Sequence, residues 1–237
     1  MSELSLEEAY QIQDEVAQLR VERGEQVVGF KVGCTSSAIR TQFGLKEPIS
    51  ARLFSPYLYE DSVHLDWRGY LNCAIEPELV IKIGKDLTDE DPSDQELIDA
   101  IDYVSPGIEL HNFKFWSAAP TSQELIASGG IWAGLVIGSQ RVSPEALSFQ
   151  DELFRVYKNE RLITQAPASE IMGGPLHSLR WLVNYLTQRG MTLQKGSLII
   201  PGSPVELVSI TEDSNLRIEI ERVGSAGTLF ETMSTEG

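Results

Sequence analysis

The chain has 237 residues, of which 42% are hydrophobic, and this is enough for one substantial core or two small ones. Its formal charge of −16 argues against binding to nucleic acid, whose phosphates require a basic surface, and against an anionic membrane surface. No low-complexity linker, charge block or internal repeat divides the sequence, so we expect a single domain over residues 1–237.

The two cysteines and the N-terminus bear on the cellular compartment. Cys34 and Cys73 form neither a disulfide framework nor a Cys-x-x-Cys motif, and reduced thiols are usual in cytoplasmic proteins. The first eight residues lack the basic start and the apolar segment of a signal peptide. The longest uncharged stretch, 125–138, is too short and too rich in glycine to span a bilayer. These features predict a cytoplasmic protein.

The first predicted element is a helix within residues 1–25. Ser5 and Glu8 have the spacing of a capping box, and Gly24 is a suitable helix end. Between them, apolar residues recur at helical spacing at Ala9, Ile12, Val16 and Leu19. We expect this N-terminal helix to pack on the rest of the domain.

A short strand is predicted next, at residues 27–34. Gly29, Lys31 and Gly33 share one of its faces. Glycines on either side of the lysine leave space around its ammonium group for a ligand carboxylate, although glycines in strands also mark bulges and close backbone crossings. Taken alone, the pattern is more typical of a solvated lysine.

The strand predicted at residues 71–83 contains the most informative motif, Glu76-Pro77-Glu78. Proline keeps the preceding residue extended, and side chains two apart in an extended chain project from the same side. A third carboxylate, Glu109, ends a second apolar stretch at residues 101–108. Three carboxylates converging from two segments would suit a hard divalent cation such as Mg²⁺ or Mn²⁺.

The same spacing also occurs where no site is expected. Glu219-Ile220-Glu221 lies in a run in which apolar and charged residues alternate, and this predicts an ordinary strand with one solvent-exposed face. The chain contains 35 Asp and Glu residues, so such pairs also arise by chance. Spacing alone therefore leaves both interpretations of Glu76 and Glu78 open.

The remaining elements are predicted from turn residues and periodicity. They are a helix near 96–103, a helix end and a buried strand within 125–138, a hairpin of 153–157 and 161–165, a helix between Pro175 and Gly190, and strands at 198–200, 205–210 and 216–223. There is more strand than helix and no regular βαβ alternation. We therefore predict an α+β fold, a mixed and mainly antiparallel β architecture with peripheral helices.

Six short motifs are spread over nearly the whole chain. They are Ala9-Tyr10 with Gln13, Gly29–Ser36, Glu76-Pro77-Glu78, Pro106–Glu109, Gly174–Leu176 with Trp181-Leu182, and Gly196–Ser203. Each is weak alone, but in this order they resemble the hydratase/decarboxylase branch of the fumarylacetoacetate hydrolase superfamily, typified by 2-keto-4-pentenoate hydratases.

The resemblance implies a mixed β-roll, a homo-oligomer and a small 2-keto acid as the substrate. It also implies Mg²⁺ or Mn²⁺ bound by Glu76, Glu78 and Glu109, and a metal-dependent lyase that hydrates a 2-hydroxydienoic acid. Lys31 matches the family's lysine, which pairs with the substrate carboxylate or transfers a proton. Ser203 matches a small hydroxyl residue that contacts that carboxylate.

The sequence departs from the hydratase pattern at three positions. Ile49 replaces an acidic residue after a proline, and Ser128-Gly129 replaces an Asp-Asn pair. Lys114 stands in for an arginine-like partner after the third carboxylate. The lysine used by hydrolase-branch relatives is missing at Gly129-Gly130, which argues against acylpyruvate cleavage.

Three functions therefore remain open: hydration, decarboxylation of a 2-keto acid, and ligand binding on a fold that has lost turnover. His111, two residues after Glu109, adds a further alternative, because it could act as a general base, support a metal ligand or be a hydrogen-bonded structural residue.

Overall fold

The computed structural model describes residues 4–113, 116 and 118–233. The helices of this part of the chain are α1 (Leu6–Glu22), α2 (Ser37–Phe43), α3 (Asp94–Ala100), α4 (Ser122–Ala127) and α5 (Pro175–Thr187). The strands of its first half are β1 (Gln26–Gly33), β2 (Ile49–Ser55), β3 (Leu58–Glu60), β4 (Val63–Asp66), β5 (Cys73–Ile83) and β6 (Ile101–Asn112). Those of its second half are β7 (Trp132–Ile137), β8 (Leu153–Lys158), β9 (Arg161–Pro167), β10 (Leu198–Ile200), β11 (Val208–Ser209), β12 (Ser214–Ile220) and β13 (Gly224–Glu231).

The strands form two sheets. The larger has the order β2-β1-β10-β5-β6-β7-β3, with β11 paired to β5, and the smaller has the order β4-β13-β12-β8-β9. The pairs β1–β10, β3–β7 and β4–β13 are parallel, and the other pairs are antiparallel. This confirms the predicted mixed, mainly antiparallel architecture.

The long pair β5–β6 lies at the centre of the larger sheet, and its two faces have different surroundings. On β5, alternate residues such as Ile75, Leu79 and Ile81 point into the main core, which α5 and the smaller sheet complete. The other face carries Ala74, Glu76, Glu78 and Val80, since side chains alternate along a strand. We call this second face the site face.

Helices α1 and α4 pack against each other next to the site face. The predicted capping box is present, because Ser5 accepts from the Glu8 N–H at 3.2 Å and Glu8 accepts from the Ser5 N–H at 2.8 Å. Of the apolar residues that predicted α1, Ala9 is buried, whereas Ile12, Val16 and Leu19 are exposed. The buried stripe is Ala9, Gln13 and Ala17. Small side chains allow a close approach, and Gln13 donates to the Ser50 and Ile126 carbonyls at 3.2 and 2.7 Å.

The sequence anticipates some elements better than others. The hairpin β8–β9, the Pro175 helix and the strands β5, β7 and β10 form where predicted. The predicted helix near 96–103 begins at Asp94 and ends at Ala100, and the apolar stretch that follows it forms β6, which was not predicted as a strand. The strand predicted at 205–210 shrinks to Val208–Ser209, and β13 was not predicted. Lys114 lies outside the described residues. Within those residues, no helix is long and apolar enough to cross a membrane.

Candidate metal centre

Two neighbouring strands bring four polar side chains together on the site face. Glu76 on β5 is directly opposite Glu109 on β6, and the adjacent pairs are Glu78 with Gly107 and Ala74 with His111. Because positions two apart share a face, Glu76, Glu78, Glu109 and His111 all project to one side of the sheet. The antiparallel register therefore builds the cluster from residues that are more than 30 positions apart in sequence.

Lys31 reaches this cluster from β1. Two strands separate β1 from β6, which in a flat sheet would place their backbones about 14 Å apart. The Nζ of Lys31 nevertheless donates a hydrogen bond to the Glu109 carboxylate, and also to the Gly130 carbonyl at 3.1 Å. The sheet is thus curved around the site face, and Lys31 lies inside it, with only 3% of the residue exposed.

Each of the three carboxylates is held by one protein donor. The Gly202 N–H donates to Glu78 Oε2 at 3.0 Å, and His111 Nε2 lies 3.1 Å from Glu76 Oε2. The Lys31 ammonium holds Glu109 Oε1. The second oxygen of Glu78, Oε1, is buried and has no hydrogen-bond partner among the described residues.

Burial and mutual repulsion set the protonation of these groups. Burial, and then the neighbouring Glu109 and Glu76 carboxylates, raise the pKa of Glu78 well above its usual value. Burial alone would also raise the pKa of Glu76, but the hydrogen bond with His111, together with the charge of Lys31, brings it below the usual value. Burial opposes the charged form of Lys31, but Glu109 and Glu76 outweigh it and raise the lysine pKa.

The cluster has the donor chemistry of a divalent-cation site. One ligand atom each from Glu76, Glu109 and His111 lies within 4.8 Å of the other two, and Glu78 shares their face. Carboxylate oxygens are the ligands that Mg²⁺ and Mn²⁺ prefer. A buried carboxylate oxygen without a partner, such as Glu78 Oε1, is costly unless a cation compensates it. The residues present fit the predicted metal.

The surroundings of Lys31 correct the interpretation of it as a solvated side chain. A Cβ placed at Gly29 would lie 1.8 Å from the Leu198 carbonyl oxygen, so this glycine permits the close approach of β10. The space around the ammonium group is filled by Glu109 and Gly130. Lys31 is a buried member of the cluster.

Ser203 lies next to the cluster in sequence, one residue after Gly202. Its hydroxyl donates to the Val205 carbonyl at 3.0 Å and accepts from the Val205 N–H at 3.2 Å. The hydroxyl therefore stabilises the turn that follows β10, and its contact with a substrate stays a prediction.

One of the departures from the hydratase pattern, Ile49, lies close to Lys31. Ile49 is buried, and its Cδ1 lies 3.7 Å from the position of a Cβ at Gly130, which would also be 3.4 Å from Lys31 Cε. Ser128 donates its hydroxyl to the Leu125 carbonyl at 2.9 Å, and Gly129 has a positive φ of 71°. Ile49 gives Lys31 an apolar neighbour, whereas the Gly130 carbonyl accepts a hydrogen bond from its ammonium group.

Two backbone groups of the site were not identified from the sequence, namely the Gly202 N–H and the Gly130 carbonyl. The Pro201-Gly202 pair is typical of a turn, but nothing in it indicates that the Gly202 N–H contacts Glu78. The turn needs glycine, because φ at Gly202 is 117° and a Cβ there would lie 2.6 Å from Thr35 Cγ2.

A family profile described as fumarylacetoacetate (FAA) hydrolase C-terminal matches residues 59–230, which is most of the chain. The protein belongs to the fumarylacetoacetate hydrolase family. The resemblance inferred from the motifs is therefore confirmed.

Named relatives place the chain in the hydratase/decarboxylase branch of the fumarylacetoacetate hydrolase family. It is 28% identical to 2-keto-4-pentenoate hydratase of Paraburkholderia xenovorans (strain LB400), an alignment that covers 99% of this chain and 87% of the relative. It is 27% identical to 4-oxalocrotonate decarboxylase of Pseudomonas putida over 96% of this chain and 86% of the relative.

A solved structure confirms the fold predicted from the resemblance. The structure of 4-oxalocrotonate decarboxylase from Pseudomonas putida G7, complexed with magnesium and adipate, superposes with a TM-score of 0.90 at 24% identity. The match covers 96% of this chain and 86% of that structure. The mixed β-roll with peripheral helices is thus the fold of this family.

Proposed function

We propose that the protein is a divalent-metal-dependent lyase that adds water across a conjugated double bond of a small 2-hydroxydienoic acid, as a 2-keto-4-pentenoate hydratase does. The observation that carries the proposal is the buried cluster of Glu76, Glu78 and Glu109, each held by one protein donor. The named hydratase that the chain matches over nearly its full length supports the substrate class.

In this proposal Glu76, Glu78 and Glu109 hold Mg²⁺ or Mn²⁺. Relatives of the same fold have been solved with magnesium, with calcium and with Mn²⁺. When bound, the cation would supply Lewis-acid chemistry, which stabilises negative charge developing on the keto oxygen of a 2-keto acid.

The chain's own side chains supply the remaining functions. Lys31 supplies a positive charge at the site, although the protein as a whole carries a charge of −16. In the proposal its ammonium pairs with the substrate carboxylate or passes a proton to the reacting carbons. Ser203 contributes a hydroxyl to the carboxylate. Ile49, buried beside Lys31, limits the access of bulk water to that side.

The test measures loss of dienol absorbance from 2-hydroxypenta-2,4-dienoate. We expect turnover by metal-free protein only after Mg²⁺ or Mn²⁺ is added, and none by the Glu78→Gln variant. Metal-independent turnover, or a wild-type melting temperature that EDTA and Mn²⁺ leave unchanged, would contradict the proposal. Tight binding of oxalate without turnover of any 2-keto acid would instead identify a binding protein on this fold.

Decarboxylation of a 2-keto diacid is the alternative function. It is favoured by Ser128 and Gly129, which stand where the hydratases carry an Asp-Asn pair, and by the similarity to 4-oxalocrotonate decarboxylase. The same metal ligands serve both reactions, because each develops negative charge on the keto oxygen. Release of CO₂ from 4-oxalocrotonate, without hydration of the dienoate, would establish the alternative.

The same proposal covers the organisation of the protein. We infer one domain, because β12 and β13 of the smaller sheet contact β6 of the larger sheet and share its main core. We also infer that the protein is a cytoplasmic homo-oligomer. Light scattering after size-exclusion chromatography tests the oligomeric state, and cell fractionation tests the location.

A further inference from the structure

His111 is the member of the cluster to which the proposed function gives no role. The residue is 1% exposed, and its Nε2 lies 3.1 Å from Glu76 Oε2 and 3.6 Å from Glu109 Oε2. Both neighbours of this nitrogen are carboxylate oxygens, which only accept hydrogen bonds. Nε2 must therefore carry a hydrogen, because an unprotonated nitrogen would repel the two carboxylate oxygens.

The other ring nitrogen supports the same assignment. His111 Nδ1 is buried and has no hydrogen-bond partner among the described residues. If Nε2 bound a cation directly, the ring hydrogen would move to Nδ1 and leave a buried N–H unpaired. Histidines that ligate metals almost always donate their second N–H to a carboxylate, carbonyl or water. An unpaired acceptor nitrogen is the less costly arrangement.

Glu76 is the carboxylate that most needs such a donor. Its side chain is 24% exposed, compared with 1% for Glu109, and Glu78 is fully buried. Packing and burial confine Glu78 and Glu109, whereas Glu76 has more freedom to rotate. The hydrogen bond from His111 fixes one oxygen of Glu76 and leaves the other for a ligand.

We propose that His111 is a positioning residue, whose Nε2–H holds Glu76 in the orientation that binds the divalent cation. The inference rests on the proposed function, because it assigns a role at the same site. It gives His111 neither direct coordination of the metal nor a proton-transfer step with the substrate.

The test is the Mn²⁺ affinity of metal-free wild type, His111→Leu and His111→Gln, measured by calorimetry and by the EPR signal of free Mn²⁺. Loss of a group that orients a metal ligand typically weakens affinity by roughly 10–100-fold, and we expect this for leucine. Glutamine keeps an N–H donor, so we expect its affinity to stay within a few-fold of wild type. Equal affinity of wild type and the leucine variant would overturn the proposal.

Two further measurements separate positioning from direct coordination and from general loss of structure. In a Glu76→Ala background, His111→Leu should cause no additional loss of Mn²⁺ affinity, because the histidine acts through Glu76. Pulsed EPR of wild-type protein loaded with Mn²⁺ should show no coupling to a directly bound ¹⁴N. Such a coupling would overturn the proposal even if His111→Leu does not fold. A glutamine variant that binds Mn²⁺ as weakly as a folded leucine variant would also overturn it.

The positioning role of His111 and the proposed lyase activity can fail independently of each other. Mn²⁺ binding that depends on His111 as described, in a protein that turns over no 2-keto acid, supports the positioning role and contradicts the lyase. Turnover with Mn²⁺ that is insensitive to His111→Leu in both affinity and rate supports the lyase and contradicts the positioning role.

Discussion

Two pairs of glutamates have identical spacing and opposite environments. Glu76 and Glu78 are on β5 in the middle of the larger sheet, and across the ladder Glu76 faces another carboxylate, Glu109. In the second pair Glu219 lies on β12 of the smaller sheet, whereas Glu221 follows the end of that strand. Glu219 faces Arg155, with which it forms an ion pair at 3.0 Å. The first pair concentrates like charge in a buried place, and the second neutralises it at the surface.

The comparison shows that the partner strand, and not the i, i+2 spacing, distinguishes a metal site from an ordinary strand. A carboxylate opposite an arginine is satisfied by the protein. Carboxylates that gather around one buried point, with Lys31 as the cation in contact with Glu109, are satisfied more fully when a further cation joins them.

Glu78→Gln and Glu219→Gln replace the same kind of side chain in the two environments. We expect Glu78→Gln to lower Mn²⁺ affinity and turnover by more than the roughly 10–100-fold that loss of a supporting hydrogen bond costs at metal sites. Glu219→Gln should change neither by more than a factor of about two, since surface ion pairs are worth little. Calorimetry and steady-state kinetics measure both, and equal losses in the two variants would refute the comparison.

Thiol reactivity compares the two environments chemically. Burial, which outweighs the charge of Lys31, raises the pKa of Cys34 to about 11. In metal-free Cys73→Ala protein, we expect alkylation of Cys34 at pH 8 to be on the order of 100-fold slower than that of an unperturbed thiol, because the thiolate is the reactive form. The rate should rise about tenfold per pH unit towards pH 10.

A Glu219→Cys variant that also carries Cys34→Ser and Cys73→Ala supplies the exposed thiol for that comparison. Its alkylation rate should level off near the ordinary thiol pKa of about 8.5. A Cys34 rate that levels off in the same range would show that the neighbourhood of Lys31 is as open to water as the smaller sheet.

The stability of the metal-free protein should respond to the same two substitutions with opposite signs. Glu78→Gln removes one of three buried carboxylates and keeps an oxygen for the Gly202 N–H, so we expect it to stabilise the fold by roughly 1–3 kcal/mol. Glu219→Gln should destabilise it by less than about 1 kcal/mol. Urea unfolding in EDTA gives both values, and in excess Mn²⁺ wild type should overtake the Glu78 variant. Destabilisation by Glu78→Gln in EDTA would contradict this account.

The smallest effect is expected from placing like charges across the smaller sheet. Arg155→Glu places a carboxylate opposite Glu219. This reproduces, at the protein surface, the cross-strand pair that Glu76 and Glu109 form in the larger sheet. We expect a loss of about 0.5–1 kcal/mol in unfolding free energy, and no gain in Mn²⁺ binding, because exposed carboxylates remain solvated. New Mn²⁺ affinity in this variant would mean that facing carboxylates suffice without burial.

The sequence predicted local features well where a few neighbouring residues determine them. The Ser5–Glu8 capping box, the hairpin around Asn159 and the helix that begins at Pro175 depend on short-range hydrogen bonds and backbone preferences, and all three are present. It missed β13, because Gly224–Gly227 has weak strand propensity and becomes a strand through pairing with β12.

The buried side of α1 shows the same limit. Apolar periodicity was consistent with a packing face that included Ile12, Val16 and Leu19, yet these side chains are exposed. The helix packs with Ala9, Gln13 and Ala17 instead. Close contact with α4, and the carbonyl groups that Gln13 satisfies, decided the face, and neither can be inferred from the helix alone.

By itself, the sequence determined that Glu76 and Glu78 share one face of an extended segment, because alternation along a strand is a local property. The order of its motifs was also sufficient to indicate the family. Only the tertiary structure decided that Glu109 faces Glu76, that Lys31 is buried against Glu109 and that His111 lies between two carboxylates. Strand register and sheet curvature set these contacts, and both result from packing over the whole chain.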